Sequence, residues 1–147
     1  MITSAQIARR VRRLGRHISD LYADIDTPLV MVVILKGATV FAADLLRSLS
    51  IPAELEFVRA SSYPTGTSSN GRLHLAHMVE GPLVGRHVLL VEDIIDSGVT
   101  VNAVARRIQK LGAASVRLAA LLDRPARRYG LDYAGLYREL PHIYSLT

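Results

Sequence analysis

An α/β domain with a mostly parallel, twisted sheet flanked by helices is predicted by three features of the 147-residue sequence. Apolar, β-branched runs alternate with amphipathic helical patterns, as strand–helix repeats require. The runs Leu29–Leu35 and Val88–Val91 are apolar at every position, which suits strands buried on both faces. The second run leads into acids, then a Ser-Gly-Val-Thr turn that opens a helix. Open α/β sheets bind ligands at such carboxyl ends of strands.

The elements follow in order. Residues 3 to 23 read as a helix, because Ile7, Val11, Leu14, Ile18 and Leu21 fall on one face at spacings of four and three. Thr3 and Gln6 have the spacing of a capping box. Arg9, Arg10, Arg12, Arg13 and Arg16 fall mostly on the opposite face, which reads as solvated. Pro28 precedes the first strand, and Lys36-Gly37 ends it. Residues 38 to 49 form a helix with Phe41, Leu45, Leu46 and Leu49 apolar, and a second strand runs from Ala53 to Arg59. Residues 60 to 72 are the only long polar, small-residue stretch. A loop of that length in a compact domain is usually functional. Further strands are expected over Leu73–Glu80, Val88–Val91 and Val116–Leu122. A helix runs from Val99 to Leu111, closed by Gly112 as its C-cap.

Composition narrows the class. One domain fits the length, and 50% hydrophobic residues exclude a wholly disordered chain. No cysteine is present, so thiolate chemistry and disulfides are absent. The longest apolar run is too short for a membrane span, and early arginines exclude a signal core. A cytoplasmic protein without a membrane partner is therefore expected. The formal charge is +5 with 5% aromatics. Few aromatics leave little for base stacking, so a small phosphorylated substrate is favoured over nucleic acid. Neither Gly-x-Gly-x-x-Gly nor a P-loop lysine motif occurs. His74 and His77, three apart on a strand, face opposite sides and make a poor metal pair.

Val88–Thr100 carries the chemistry. Free N–H groups at a helix N-terminus form an anion site. Gly98 lets a phosphate approach the backbone, and Ser97 and Thr100 add hydroxyl donors. Glu92, Asp93 and Asp96 beside such a site point to hydroxyls to be gripped, a divalent cation to be held or a proton to be taken.

This stretch resembles, at all thirteen positions, the phosphoribosyl-pyrophosphate (PRPP) motif of the type I phosphoribosyltransferases. The wording Glu-Asp-Ile-Ile-Asp-Ser-Gly resembles their hypoxanthine branch. So do Leu35-Lys36-Gly37, Ala60-Ser61-Ser62-Tyr63, Leu121-Leu122-Asp123-Arg124-Pro125, Tyr129–Tyr133 and Arg138–Pro141. The resemblance implies one domain over 1–147 with that family's fold. Its reduced hood is drawn from the N-terminal region and 123–147. Glu92 and Asp93 would face ribose hydroxyls and the waters of Mg2+, and Asp132 would hold a second magnesium. Asp96 would be the general base near purine N7. Ser97, Gly98, Val99 and Thr100 would cradle the 5′-phosphate. Lys36, Gly37 and Arg138 would meet pyrophosphate, with a cis Leu35–Lys36 peptide. Ile94 and Arg124 would contact the purine, and Ser62 and Tyr63 would close over the reacting centre.

The implied activity is purine salvage: hypoxanthine or guanine plus PRPP giving the nucleotide and pyrophosphate, in a homodimer or homotetramer. The sequence departs from that family twice. Arg124 stands where lysine is usual, a planar fork in place of a compact ammonium. Arg127-Arg128 also runs straight into Tyr129, where relatives carry a further strand with the aromatic that stacks on the purine. Tyr129 or Tyr133 would have to replace that ring. The alternatives are a PRPP-binding, RNA- or DNA-interacting regulator and a catalytically impaired, hood-deleted variant.

Overall fold

Helix α1 (Ser4–Leu21) begins at the expected capping box: Thr3 Oγ1 accepts from the Gln6 N–H at 3.3 Å, and Gln6 Oε1 accepts from the Thr3 N–H at 2.8 Å. The computed structural model describes residues 3–62, 73–76, 79, 81–95, 98–123 and 143–145. Val11, Leu14 and Ile18 turn inward, as the four-and-three spacing requires. Close packing against helix α2 (Thr39–Ser48) depends on Gly15, where a Cβ would sit 2.0 Å from Ser48 Oγ. Ser19 Oγ donates to Gly15 O at 2.8 Å and accepts from the Ser50 N–H at 3.0 Å, tying α1 to the chain after α2.

The fully apolar strands are buried on both faces, and their parity sorts them. In β1 (Leu29–Leu35), Leu29, Met31 and Val33 join the core under α1 and α2, while Val30, Val32 and Ile34 join the core under α3 (Val99–Lys110). In β4 (His87–Ile95), Leu89 and Val91 face the first core and Val88 and Leu90 the second. Each such side chain removed from water contributes ~1.5–3 kcal/mol. Gly112, at φ 88, terminates α3 as expected of a C-cap glycine.

Six strands among the described residues form one sheet in the order β3-β2-β1-β4-β5-β6. The inner four are parallel: β2 (Ala53–Ser62), β1, β4 and β5 (Ser115–Asp123). The edges are antiparallel, with β3 (Leu73–Ala76) on β2 and β6 (Ile143–Ser145) on β5. Two expected boundaries shift. β4 runs four residues past Val91 to Ile95, and β2 runs past Arg59 to Ser62, so residues 60–62 belong to a strand. Of the strand expected over Leu73–Glu80, Leu73–Ala76 is observed, and 77, 78 and 80 lie outside the described residues. The strand β6 was not expected from sequence.

Candidate active site

The strand order reverses direction between β1 and β4. From β1 the chain passes through α2 to β2 on one side; from β4 it passes through α3 to β5 on the other. The two helices lie on opposite faces of the sheet. Pairing between β1 and β4 ends at Val33↔Val91. Beyond that point the strands part, and their carboxyl ends frame the crevice in which open α/β sheets bind ligands.

The loop after β1, expected to meet pyrophosphate, lies against the carboxyl end of β4. The Leu35–Lys36 peptide is cis, as the resemblance implies. The Lys36 carbonyl is held by Thr39, whose N–H and Oγ1 donate to it at 3.2 and 2.7 Å. Lys36 and Gly37 are exposed. A Cβ on Gly37 would lie 2.1 Å from Asp93 Oδ2 and 2.8 Å from Asp93 Cγ. Only a residue without a side chain lets the loop after β1 rest against the acid on β4. Two segments 56 positions apart in the chain therefore meet at one point.

The acids are organised by their own backbone. The Asp93 N–H donates to Glu92 Oε1 at 3.0 Å, and the Ile94 N–H donates to Asp93 Oδ1 at 2.8 Å. Burial, followed by the neighbouring Asp93 carboxyl, raises the Glu92 pKa from 4.5 to about 7. Among the described residues no three His, Cys, Asp or Glu side chains gather as a metal cluster. Two adjacent carboxylates do fit a hydrated magnesium, which keeps several waters and takes its remaining ligands from substrate phosphates.

On the far side of the acids, Gly98 adopts φ 70 and ψ −3, a left-handed conformation open to glycine at little cost. Its carbonyl accepts the first turn's hydrogen bond from Asn102 at 2.9 Å. No side chain caps α3, so the N–H groups of Val99, Thr100 and Val101 remain for an anion. Ile94 is 48% exposed and lies opposite Leu122 of β5, which is 45% exposed. The two make an apolar step next to the acids.

The structure thus brings Lys36 and Gly37 up to Asp93, beside Glu92 and Ile94 on β4, while Gly98, Val99 and Thr100 open α3. Ser62 ends β2, described by its backbone. Tyr63, Asp96, Ser97, Arg124, Asp132 and Arg138, with Tyr129 and Tyr133, lie outside the described residues. Sequence reasoning missed Thr39 and Leu122. Thr39 had a signal in its place three residues after Lys36, the reach of a hydroxyl to a carbonyl at a turn. Leu122 had none, because its role depends on which residue of β4 it pairs with.

Comparison with known proteins gives a uniform result. The phosphoribosyl transferase domain family model matches residues 2–138. Hypoxanthine phosphoribosyltransferase of Salmonella typhimurium is 36% identical over 163 aligned positions, covering 97% of this chain and 92% of the relative. Hypoxanthine-guanine phosphoribosyltransferase of Mycobacterium avium is 34% identical, covering 99% and 84%. The structure of Trypanosoma cruzi hypoxanthine phosphoribosyltransferase in complex with the product IMP superposes with a TM-score of 0.77 at 31% identity. It covers 100% of this chain and 92% of that one. The 163 aligned positions draw on only 97% of 147 residues, or about 143, so about 20 positions of the Salmonella enzyme have no counterpart here.

Proposed function

The chain belongs to the phosphoribosyl transferase domain family, and from that membership we propose that it transfers the ribose 5-phosphate of PRPP to hypoxanthine or guanine. The products are the nucleotide and pyrophosphate, and the role is purine salvage. The observation that carries this reading is the contact of Gly37 with Asp93, which puts the Lys36 loop and the acids of β4 on one crevice.

The chemistry distributes over the crevice. The bond from ribose C1 to the pyrophosphate oxygen breaks as a bond from C1 to the purine nitrogen forms. The purine proton passes from N7 to Asp96 as general base. Negative charge grows on the departing pyrophosphate, where Lys36, the Gly37 loop and Arg138 meet it. Ionised Glu92 and Asp93 grip the ribose hydroxyls and face the positive charge that develops on the sugar. The N–H groups at the start of α3, with Ser97 and Thr100, hold the 5′-phosphate. Asp132, with Glu92 and Asp93 through waters, would hold magnesium brought in with PRPP, which would supply charge neutralisation for the leaving group. Ser62 and Tyr63 begin the segment that closes over the reaction and keeps water from the ribosyl centre. Ile94 and Arg124 receive the base.

Among the described residues no helix is long and apolar enough to cross a membrane. Leu55 and Phe57 of β2 leave apolar surface open at 39% and 40% exposure, which supports a homodimer or homotetramer. The 20-position shortfall favours one second reading, a hood-deleted protein with impaired turnover. Pyrophosphate release from PRPP and magnesium, measured with each purine in turn, tests the proposal. Release with hypoxanthine or guanine is expected. PRPP binding without release for any base would establish the second reading instead.

A further inference from the structure

The outward face of α1 carries five arginines within eight positions: Arg9, Arg10, Arg12, Arg13 and Arg16. Four are exposed and Arg10 is half-buried. Five of their pairings are like-charged at i,i+3 or i,i+4, an arrangement that destabilises a helix. The helix has no acid in its first turn, and its one acid, Asp20, follows the cluster. The two ion pairs among the described residues are Arg47 with Asp44 and Arg86 with Glu54, so none of the five has an acidic partner there. Their described neighbours line an open depression of about 440 Å³ made of these arginines and Gln6 alone. Among the described residues nothing neutralises this electrostatically unfavourable surface.

We propose that this face binds the sugar–phosphate backbone of single-stranded nucleic acid as a chain of phosphates, apart from the PRPP crevice and without reading bases. The side-chain type supports phosphate. All five are arginines, whose planar fork donates two parallel hydrogen bonds to phosphate oxygens. The span supports a chain over a single ion, since Arg9 to Arg16 rises ~10 Å along the helix axis. The face itself holds no aromatic, so it offers no stacking platform for bases. A membrane surface is disfavoured because Val11, Leu14 and Ile18 are committed to the core, which leaves only Ile7 and Leu21, at opposite ends of the apolar face, partly exposed.

The test uses the full chain and fluorescently labelled 12-nucleotide oligouridylate and oligothymidylate, titrated by anisotropy between 50 and 200 mM NaCl. With four to five phosphates neutralised, log K should fall against log salt with a slope of about −3 for a single strand. Both oligomers should bind alike, and inorganic polyphosphate should displace them. In the Arg9→Gln, Arg12→Gln, Arg13→Gln, Arg16→Gln variant the slope should collapse below about −1, with affinity at 100 mM salt reduced at least tenfold. PRPP-dependent turnover should be unchanged. Its melting temperature should equal or exceed the parent's, because the repulsive pairs are gone, so loss of binding cannot be put down to misfolding. Three results would overturn the proposal: no salt-dependent binding by the parent, equal binding by the variant, or anionic phospholipid vesicles outcompeting the oligomers. Failure of polyphosphate to compete would also overturn it, by showing that bases are read.

Discussion

Replacing Gly37 with alanine adds one carbon at the point where the two halves of the crevice touch. The new Cβ would stand 2.1 Å from Asp93 Oδ2 and 2.8 Å from its Cγ, separations that no real Cβ contact tolerates. The Asp93 carboxylate must therefore swing away or the loop must lift. The first movement breaks the 2.8 Å hydrogen bond from the Ile94 N–H to Asp93 Oδ1, and the second pulls the Lys36 loop off the acid. Bonds to charged groups contribute ~1.5–3 kcal/mol. This one is solvent-exposed, so a stability loss of about 1 kcal/mol is expected. Ligand binding suffers more, because the displaced group is either the acid proposed to meet the ribose or the loop proposed to meet pyrophosphate. Loss of one to two such contacts weakens PRPP by ~10–100-fold, since each 1.4 kcal/mol is a factor of ten. Calorimetric titration of magnesium and PRPP measures it, with thermal melting in parallel. Gly85→Ala is the control: it sits at φ 74 with nothing within 4 Å of a Cβ. It should lower stability through backbone strain and leave PRPP affinity intact. The reasoning also fixes a double-mutant cycle. In an Asp93→Gly background the clash has no target, so Gly37→Ala should cost little more. Unchanged PRPP affinity in the single variant, or an undiminished loss in the Asp93→Gly background, would refute the account.

Other expectations concern charge and chemistry. The Glu92 pKa is raised from 4.5 to about 7, so the folded state holds this proton more tightly than the unfolded chain. Its contribution to stability is full below about 4.5 and is lost as pH rises through 7. Glu92→Gln should therefore melt higher than the parent at pH 8 but alike near pH 4, and bind PRPP more weakly. If PRPP requires the ionised acid, parent affinity should rise between pH 6 and 8 with proton release, measured by calorimetry in buffers of different ionisation enthalpy. Asp96→Asn should lower kcat ~10²–10⁴-fold with PRPP affinity nearly kept; a loss confined to PRPP affinity would place Asp96 in the ribose-phosphate grip. If the excision at Arg128–Tyr129 removes a stacking ring worth roughly 1–3 kcal/mol, the chain should show a hypoxanthine KM about one to two orders of magnitude above that of a full-length relative. Tight hypoxanthine binding would mean that another side chain, with Tyr129, Tyr133 and the Ile94–Leu122 step as candidates, has taken over that role.

The sequence by itself determined most elements, because the relevant signals are local. A helical face repeats every three to four residues and is visible in Val11, Leu14 and Ile18. A strand buried on both faces is visible as the unbroken run Leu29–Leu35. The Val88–Thr100 motif was legible for the same reason: its acids, glycine and hydroxyls are contiguous. Where strands stop was not legible. Hydropathy reports burial, and it breaks at Glu92-Asp93, whereas β4 goes on pairing with β5 through Glu92, Ile94 and Ile95. The three residues of β6 are too few to show a period, and they are a strand only because β5 offers a free edge. Tertiary structure alone decided that Gly37 and Asp93 touch. That contact follows from the parallel register Val30↔Val88 to Val33↔Val91, a pairing of segments 58 residues apart that no local pattern encodes. The same holds for the arginine face of α1. The sequence shows its charge, but only the packing shows that no described acid reaches it.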